Sequence, residues 1–207
     1  MSAIHSVTLE VPDAKAAEAF CATAFGLGSR VGVRASEASS TGFRGFTLSL
    51  VVSQPSTVDS LIGTALEAGA TTLKPAKKSF WGYGGVVQAP DGTIWKVATS
   101  SKKETGSETR EIDELVLLLG VDDVKASKEF YVEHGLTVHK SFGSKYVEFA
   151  APEHSLKLAL YTRRAAAKDA GVPPDGSGSH RIVVVSDVGP FTDPDGFSWE
   201  KASVRSS

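Results

Sequence analysis

The sequence of 207 residues is long enough for one large domain or two small ones, because a single hydrophobic core usually serves about 100 to 200 residues. Apolar residues make up 41% of the chain and charged residues 22%, a balance that excludes an intrinsically disordered protein. The formal net charge is only −2, so the chain has no general basic field that would hold nucleic acid or an anionic membrane, and we expect neither partner.

The start of the chain lacks the charged and apolar regions of a signal peptide, and no apolar run approaches the roughly 18 residues that span a bilayer. We therefore expect a cytoplasmic protein. Cys21, the single cysteine, cannot form an internal disulfide and has no His or Cys nearby at metal-ligand spacing. We interpret it as a packing residue.

In the first half, alternation of Val7, Leu9 and Val11 with polar residues predicts a strand over 4–11. Asp13 is placed to cap a helix that Gly26 ends. Further strands are predicted at 30–34, 46–53, 71–74, 84–89 and 94–99, with a helix at 56–68. A Pro-Asp-Gly turn joins the last two strands.

The second half begins in the same way, with a predicted strand at 113–120, a helix at 123–134, and strands near 136–141, 145–150, 156–161 and 181–185. After the last of these, too few residues remain for a counterpart of the helix at 56–68. The pair Arg163 and Arg164 is interpreted as part of a solvated loop, and residues 169–179, rich in Gly, Pro and Ser, as a mobile loop.

An internal repeat organises the chain. Residues 11–20 (VPDAKAAEAF) recur as 121–130 (VDDVKASKEF), and residues 89–97 (APDGTIWKV) are echoed by 193–201 (DPDGFSWEK). Residues 101–111 contain no apolar residue, which is typical of a solvated linker. The predicted division is therefore 1–100, a linker at 101–111, and 112–207.

These motifs, a Val-x-Asp-x-x-x-(Ala/Ser)-x-x-Phe junction and a closing Pro-Asp-Gly-x-x-Trp turn, resemble those of the vicinal oxygen chelate superfamily. That superfamily includes glyoxalases, extradiol dioxygenases, fosfomycin-type thiol transferases and bleomycin-binding proteins. The resemblance covers nearly the whole chain and is densest over 80–95. It implies an α+β fold of tandem βαβββ-type modules that form two cup-shaped sheets, with helices on the convex side, a ligand or metal on the concave side, and one helix missing from the second half.

In metal-using members of the superfamily, four ligands, usually His or Glu, come from the first and last strands of paired modules. The family pattern places the first-strand positions at Ser6 and Val116, neither of which is a metal ligand. Alternation places His5 on the same side of the strand as Val7 and Leu9, the side that should pack beneath the helix. We therefore interpret His5 as structural or terminal, unless a bulge reverses the side that it faces.

The closing-strand positions of the family fall on Lys96 and Glu200, and His180 also lands on an expected position. A lysine at 96 argues against a cation in the first cup. His180 and Glu200 supply two of four expected ligands. Three interpretations stay open: they form a buried hydrogen-bonded pair or simply line a pocket, they hold a divalent metal, or they carry out metal-free acid–base catalysis.

Aromatic residues are concentrated at Phe80, Trp81 and Tyr83, between glycines. They form either a binding rim for a planar ligand or a cluster that closes the core. Trp199 should pack beneath a helix, yet that helix is the missing one. Its cover would then come from the first half or from a second copy of the chain in a homodimer.

Polar residues Ser6, Thr8 and Glu10 are predicted to face the first cup together with Lys96. A carboxylate near an ammonium suits a zwitterionic or hydroxylated ligand, or else forms a weak ion pair on a solvated sheet. We expect a glyoxalase-like protein that binds a small, planar organic molecule without a complete metal site and without a certain cofactor. The alternative is a lyase, isomerase or dioxygenase-type enzyme with a divalent metal at His180 and Glu200.

Overall fold

A computed structural model describes residues 2–203. The first half contains β1 (Ile4–Val11), α1 (Ala14–Ala24), β2 (Val31–Ala35), β3 (Ser40–Gly42), β4 (Phe46–Val51), α2 (Pro55–Glu67), β5 (Thr71–Ser79), β6 (Gly82–Gln88) and β7 (Ile94–Thr99). The second half contains β8 (Glu114–Val121), α3 (Val124–Glu133), β9 (Val138–Phe142), β10 (Tyr146–Phe149), β11 (Lys157–Thr162), α4 (Arg163–Ala170), β12 (Gly176–Gly178), β13 (Ile182–Ser186), β14 (Phe191–Thr192) and β15 (Ser198–Lys201).

Strands from both halves are mixed in each large sheet. The five-stranded sheet has the order β14-β15-β13-β1-β2, and the eight-stranded sheet has the order β5-β6-β7-β4-β8-β11-β10-β9. A small ribbon pairs β3 with β12. The predicted α+β fold of tandem modules is therefore confirmed, and each concave side is built from residues far apart in the chain.

Helices α1 and α3 begin where the repeated aspartates predict. The Asp13 carboxylate accepts a hydrogen bond from the Ala16 N–H, and the Asp123 carboxylate accepts from the N–H groups of Lys125 and Ala126. Such caps satisfy backbone donors that have no partner inside the helix. None of the helices between residues 2 and 203 is long and apolar enough to span a membrane.

Alternation along the strands buries one side of each sheet in a shared core. Its largest fully buried side chains include Trp95, Trp199 and Tyr131. Cys21 lies in this core, and burial raises the pKa of its thiol to about 12. Its predicted packing role is confirmed.

The cover over Trp199 comes from within the chain. Tyr131 of α3 lies with its ring centroid 5.2 Å from that of Trp199, and Phe191 stacks on the indole at 5.1 Å. The indole is 2% exposed. No helix lies between β13 and β15, as predicted, and the short strand β14 supplies part of the missing cover.

The segment at 101–111 contains neither helix nor strand, but its polar side chains anchor it to the first half. Gln54 accepts hydrogen bonds from the N–H groups of Thr105 and Gly106, and Glu104 accepts from the N–H of Ser56 at the start of α2. Arg110 donates to the carbonyls of Ala24 and Ser60. The domain bounds 1–100 and 112–207 stay a prediction.

One interpretation from sequence is wrong: Arg163 and Arg164 begin α4 rather than lying in a solvated loop. Thr162 caps this helix, and Gly171 ends it with φ +80°, a conformation that favours glycine. The helix has a narrow apolar side of three buried alanines, Ala166, Ala167 and Ala170. Alanines give little hydrophobic signal, which is why the pattern does not show the helix.

The repeated Pro-Asp-Gly turns contact their helices differently. In the second half, Asp195 accepts hydrogen bonds from the Asp122 N–H and the Ser127 hydroxyl, both at 2.7 Å. The equivalent residues of the first half, Pro12 and Ala17, carry neither donor. An open groove of about 530 Å³ lies there, between α1 and Asp91.

We predict that Ser127→Ala lowers the free energy of unfolding by about 2 kcal/mol, because it leaves a carboxylate oxygen of Asp195 without its donor. Urea denaturation measures the change. Ser144→Ala, in the exposed β9–β10 turn, is the control and should change stability by less than about 0.5 kcal/mol. Equal effects of the two substitutions would show that the Asp195 contact contributes nothing to stability.

Candidate functional site

The open side of the five-stranded sheet brings together polar residues from both halves. Residues paired across strands point to the same side of a sheet. The pairs Ser6–Val185, Thr8–Val183, Glu10–Arg34 and Val185–Glu200 therefore share one side. We call this surface the hollow, and it carries Ser6, Thr8, Glu10, Arg34, Val183, Val185, Ser198 and Glu200.

An arginine spans the hollow. The Arg34 guanidinium donates to Glu10 Oε1 at 2.8 Å and to Glu200 Oε1 at 3.2 Å. Arg34 is on β2 and Glu200 is on β15, with β1 and β13 between them, so the contact crosses the concave side. Hydrogen bonds to Glu10 and then to Glu200 raise the pKa of Arg34. Two carboxylates against one guanidinium leave the group with a net charge of −1.

His5 lies at one end of the hollow because β1 contains a bulge. The pairing of β1 with β13 shifts between Ile4 and Ser6, and His5 is exposed beside Ser6. The expectation that it shares the side of Val7 and Leu9 is therefore wrong. Its Nε2 lies 2.6 Å from Asp187 Oδ1, and this contact, with the Ala3 N–H, lowers the pKa of Asp187. An open depression of about 670 Å³ adjoins this pair and the Ser6 end of the hollow.

His180 and Glu200 are not brought together. Glu200 pairs with Val185, which lies about 10 Å along β13 from Ile182, the first residue of that strand. His180 precedes β13, so it lies beyond the Ile182 end. The His180 ring stacks on Phe197, and its Nδ1 and Nε2 lie 2.6 Å and 2.9 Å from the carbonyl oxygens of Arg44 and Asp195. Both ring nitrogens are thus occupied by backbone partners.

The concave side of the eight-stranded sheet is filled by α4. An added Cβ on Gly120 of β8 would come within 3.0 Å of Ala166 Cβ and of Arg163 Cα, so glycine permits this close approach. Lys96 points to this side and its Nζ lies 2.8 Å and 2.9 Å from the carboxylate oxygens of Asp169 on α4. Lys96 is therefore not with Ser6, Thr8 and Glu10, which lie in the other sheet.

The aromatic cluster lies at the tip of the β5–β6 hairpin, apart from the hollow. Phe80 and Trp81 are each 81% exposed and pack edge to face, so they do not close the core. Tyr83 donates to Asp59 of α2 at 2.7 Å, which raises the pKa of the Tyr83 hydroxyl to about 12. Lys102 lies over the Phe80 ring.

Solved structures show a similar overall arrangement. A V278E mutant of glyoxalase I from Zea mays matches with a TM-score of 0.63 at 14% sequence identity, over 97% of this chain and 92% of that one. A putative dioxygenase from Bacillus subtilis subsp. subtilis str. 168 matches with a TM-score of 0.56 at 12% identity, over 88% of this chain and 69% of that one. Searches against family profiles and curated proteins gave no match.

The chain has the fold of these two proteins. At identities this low, the likeness shows the fold and leaves the chemistry to the residues of the site.

The residues present do not fit the divalent metal that the resemblance of the sequence implies. Of the expected positions, Ser6, Val116 and Lys96 offer no ligand. His180 and Glu200 lie apart, the His180 ring nitrogens face backbone carbonyl oxygens, and Arg34 holds the Glu200 carboxylate. Within residues 2–203, no three His, Cys, Asp or Glu side chains are grouped so that they could hold an ion. An ammonium, that of Lys96, stands at one expected ligand position and a guanidinium, that of Arg34, holds the carboxylate at another, so no step through a metal can be derived.

Arg34 and α4 are the features of these two concave sides that the sequence did not reveal. Arg34 ends the predicted strand 30–34, and its alternation with Val31 and Val33 was a readable signal for the open side. Its carboxylate partners could not be identified, because they depend on which strands pair across the two halves.

We predict that Lys96 and Asp169 stabilise the docked helix together. Lys96→Met should lower the free energy of unfolding by about 1 kcal/mol, since both groups are only partly buried and screening by solvent limits the gain. Urea denaturation of Lys96→Met, Asp169→Asn and the double variant gives the coupling energy. Strictly additive effects would mean that the ion pair does not hold α4.

Proposed function

We propose that the chain binds a small organic molecule in the hollow without a metal ion. The observation that carries this proposal is the Arg34 contact with Glu10 and Glu200, because the guanidinium engages Glu200, the residue of the hollow at a ligand position that the sequence resemblance implies. Binding results from the groups that remain open to a ligand there.

The charge of the hollow indicates the class of ligand. Arg34 contacts only one oxygen of each carboxylate, so Glu10 and Glu200 each keep a second oxygen that can accept a hydrogen bond. Ser6 and Thr8 add hydroxyl groups that are only partly exposed. With a net charge of −1, the hollow favours a neutral or cationic molecule that carries amino or hydroxyl donors.

The hollow also offers an apolar contact to a ligand. Val183 is buried, but Val185 is only half-buried on the same side of the sheet, so the apolar body of a ligand can rest on its side chain. The rings of Phe80, Trp81 and Tyr83 lie on the other sheet, and none of the residues that define the hollow is aromatic. The hollow therefore does not require a planar ligand. The cytoplasmic location and the homodimer suggested by the sequence stay predictions.

Tyramine, which combines an amine, a hydroxyl group and a small body, is a suitable probe. We expect calorimetry to detect its binding to the full chain in the presence of EDTA. Glu200→Gln should weaken binding about ten-fold, because an ionic hydrogen bond contributes about 1.5 kcal/mol. Glu153→Gln, an exposed carboxylate outside the hollow, is the matched control and should leave the affinity unchanged.

Arg34→Met should strengthen tyramine binding, because it leaves both carboxylates without their cation. A gain in affinity cannot result from unfolding, so this variant separates recognition from a loss of structure. Absence of binding up to about 10 mM, binding that needs added Mn²⁺, or equal affinities of wild type and Glu200→Gln would each overturn the proposal.

A further inference from the structure

A second cavity lies beside the docked helix α4, at the end of the eight-stranded concave side that the helix leaves open. It has a volume of about 320 Å³, within the usual range for small-molecule sites. We call it the Arg44 pocket, after the charged residue in a largely apolar lining that includes Phe43, Phe46, Ile94, Val172 and Pro173. It shares no residue with the hollow, and its properties are independent of the function proposed for the hollow.

Arg44 has no counter-ion among the described residues. The guanidinium Nη2 donates to the Asp91 carbonyl oxygen at 2.7 Å, and no carboxylate of residues 2–203 forms an ion pair with it. A guanidinium has five N–H groups, so most of its donors have no partner in this part of the chain. Half-buried cations without an anionic partner are costly, and an anion that reached Arg44 would offset that cost.

Burial makes the charge of Arg44 costly. It lowers the pKa of the Arg44 guanidinium, against an opposing effect of Asp91, and the positive charge of Arg181 adds a smaller lowering effect. Arg163 lies over the Phe43 ring and donates to the carbonyl oxygens of Phe43 and Pro174. Its positive charge is therefore held near the pocket by neutral acceptors.

The rest of the pocket fits an apolar body. Phe43 and Ile94 are 4% and 6% exposed and pack in the apolar cluster beside α4, with Val172 against them, so they form a firm wall. Gln88 is engaged with the Gly92 carbonyl oxygen. Asp175, which is exposed and also lines the pocket, would repel a second negative charge on the ligand.

We propose that the Arg44 pocket is a binding site for a small monocarboxylate with an apolar body. The carboxylate accepts hydrogen bonds from Arg44, in the forked geometry that arginine favours for carboxylates. The body packs on Phe43, Ile94 and Val172. A dicarboxylate is disfavoured because its second charge would meet Asp175.

Phenylacetate and its neutral isostere phenylacetamide test this site by calorimetry on the full chain. We expect phenylacetate to bind at least about ten-fold more tightly than phenylacetamide, and succinate to bind more weakly than phenylacetate. Arg44→Met should remove that preference for the anion. Arg164→Met removes the same charge from an exposed position of α4 and should change nothing.

Two further variants locate the site and guard against misfolding. Val172→Trp fills the pocket but keeps Arg44, so it should also weaken phenylacetate binding at least about ten-fold, with circular dichroism to confirm the fold. Arg34→Met alters the hollow and should leave phenylacetate binding unchanged. Equal binding of acid and amide, full binding by a folded Arg44→Met variant, or loss of binding in Arg34→Met would overturn the proposal.

Discussion

The pairing of β1 with β13 is the constraint on which the hollow depends. It places the first strand of the chain, antiparallel, beside a strand near its end, with β2 and β15 on either side. Val7, Leu9, Val184 and Trp199 are buried on the opposite side of the sheet, so a slip by one residue would expose them. The burial of these four side chains fixes the register that brings Glu10, Arg34 and Glu200 together.

Three cations illustrate how the chain uses its two concave sides. Arg34 holds two carboxylates across the hollow, and Lys96 holds the carboxylate of Asp169 on α4. In both places a side-chain cation of the protein offsets the charge of a carboxylate from a distant part of the chain. Arg44 differs, because it is half-buried among apolar neighbours and no carboxylate of residues 2–203 forms an ion pair with it. This difference distinguishes a candidate recognition residue from a structural ion pair.

Docking of α4 makes the two concave sides unequal. One side keeps an open polar surface, whereas the other is closed by a short helix and retains the Arg44 pocket at its end. The helix has eight residues, too few to be stable alone, so its conformation depends on packing against β8, β11 and β4. A segment whose helicity comes from tertiary contacts gives little local signal, and this explains why the sequence around Arg163 and Arg164 indicates a loop.

The sequence by itself determined the elements of both repeats and the buried side of most strands. The aspartate caps, the Pro-Asp-Gly turns and the alternation of apolar residues are local features that act within a few residues of one another. Only the tertiary structure decided which groups meet. Alternation fixes the side that a residue faces but not its partner on another strand, and Arg34 lies 166 residues from Glu200. The bulge that exposes His5 and the close approach of α4 to Gly120 likewise depend on contacts between distant segments, which a linear pattern does not contain.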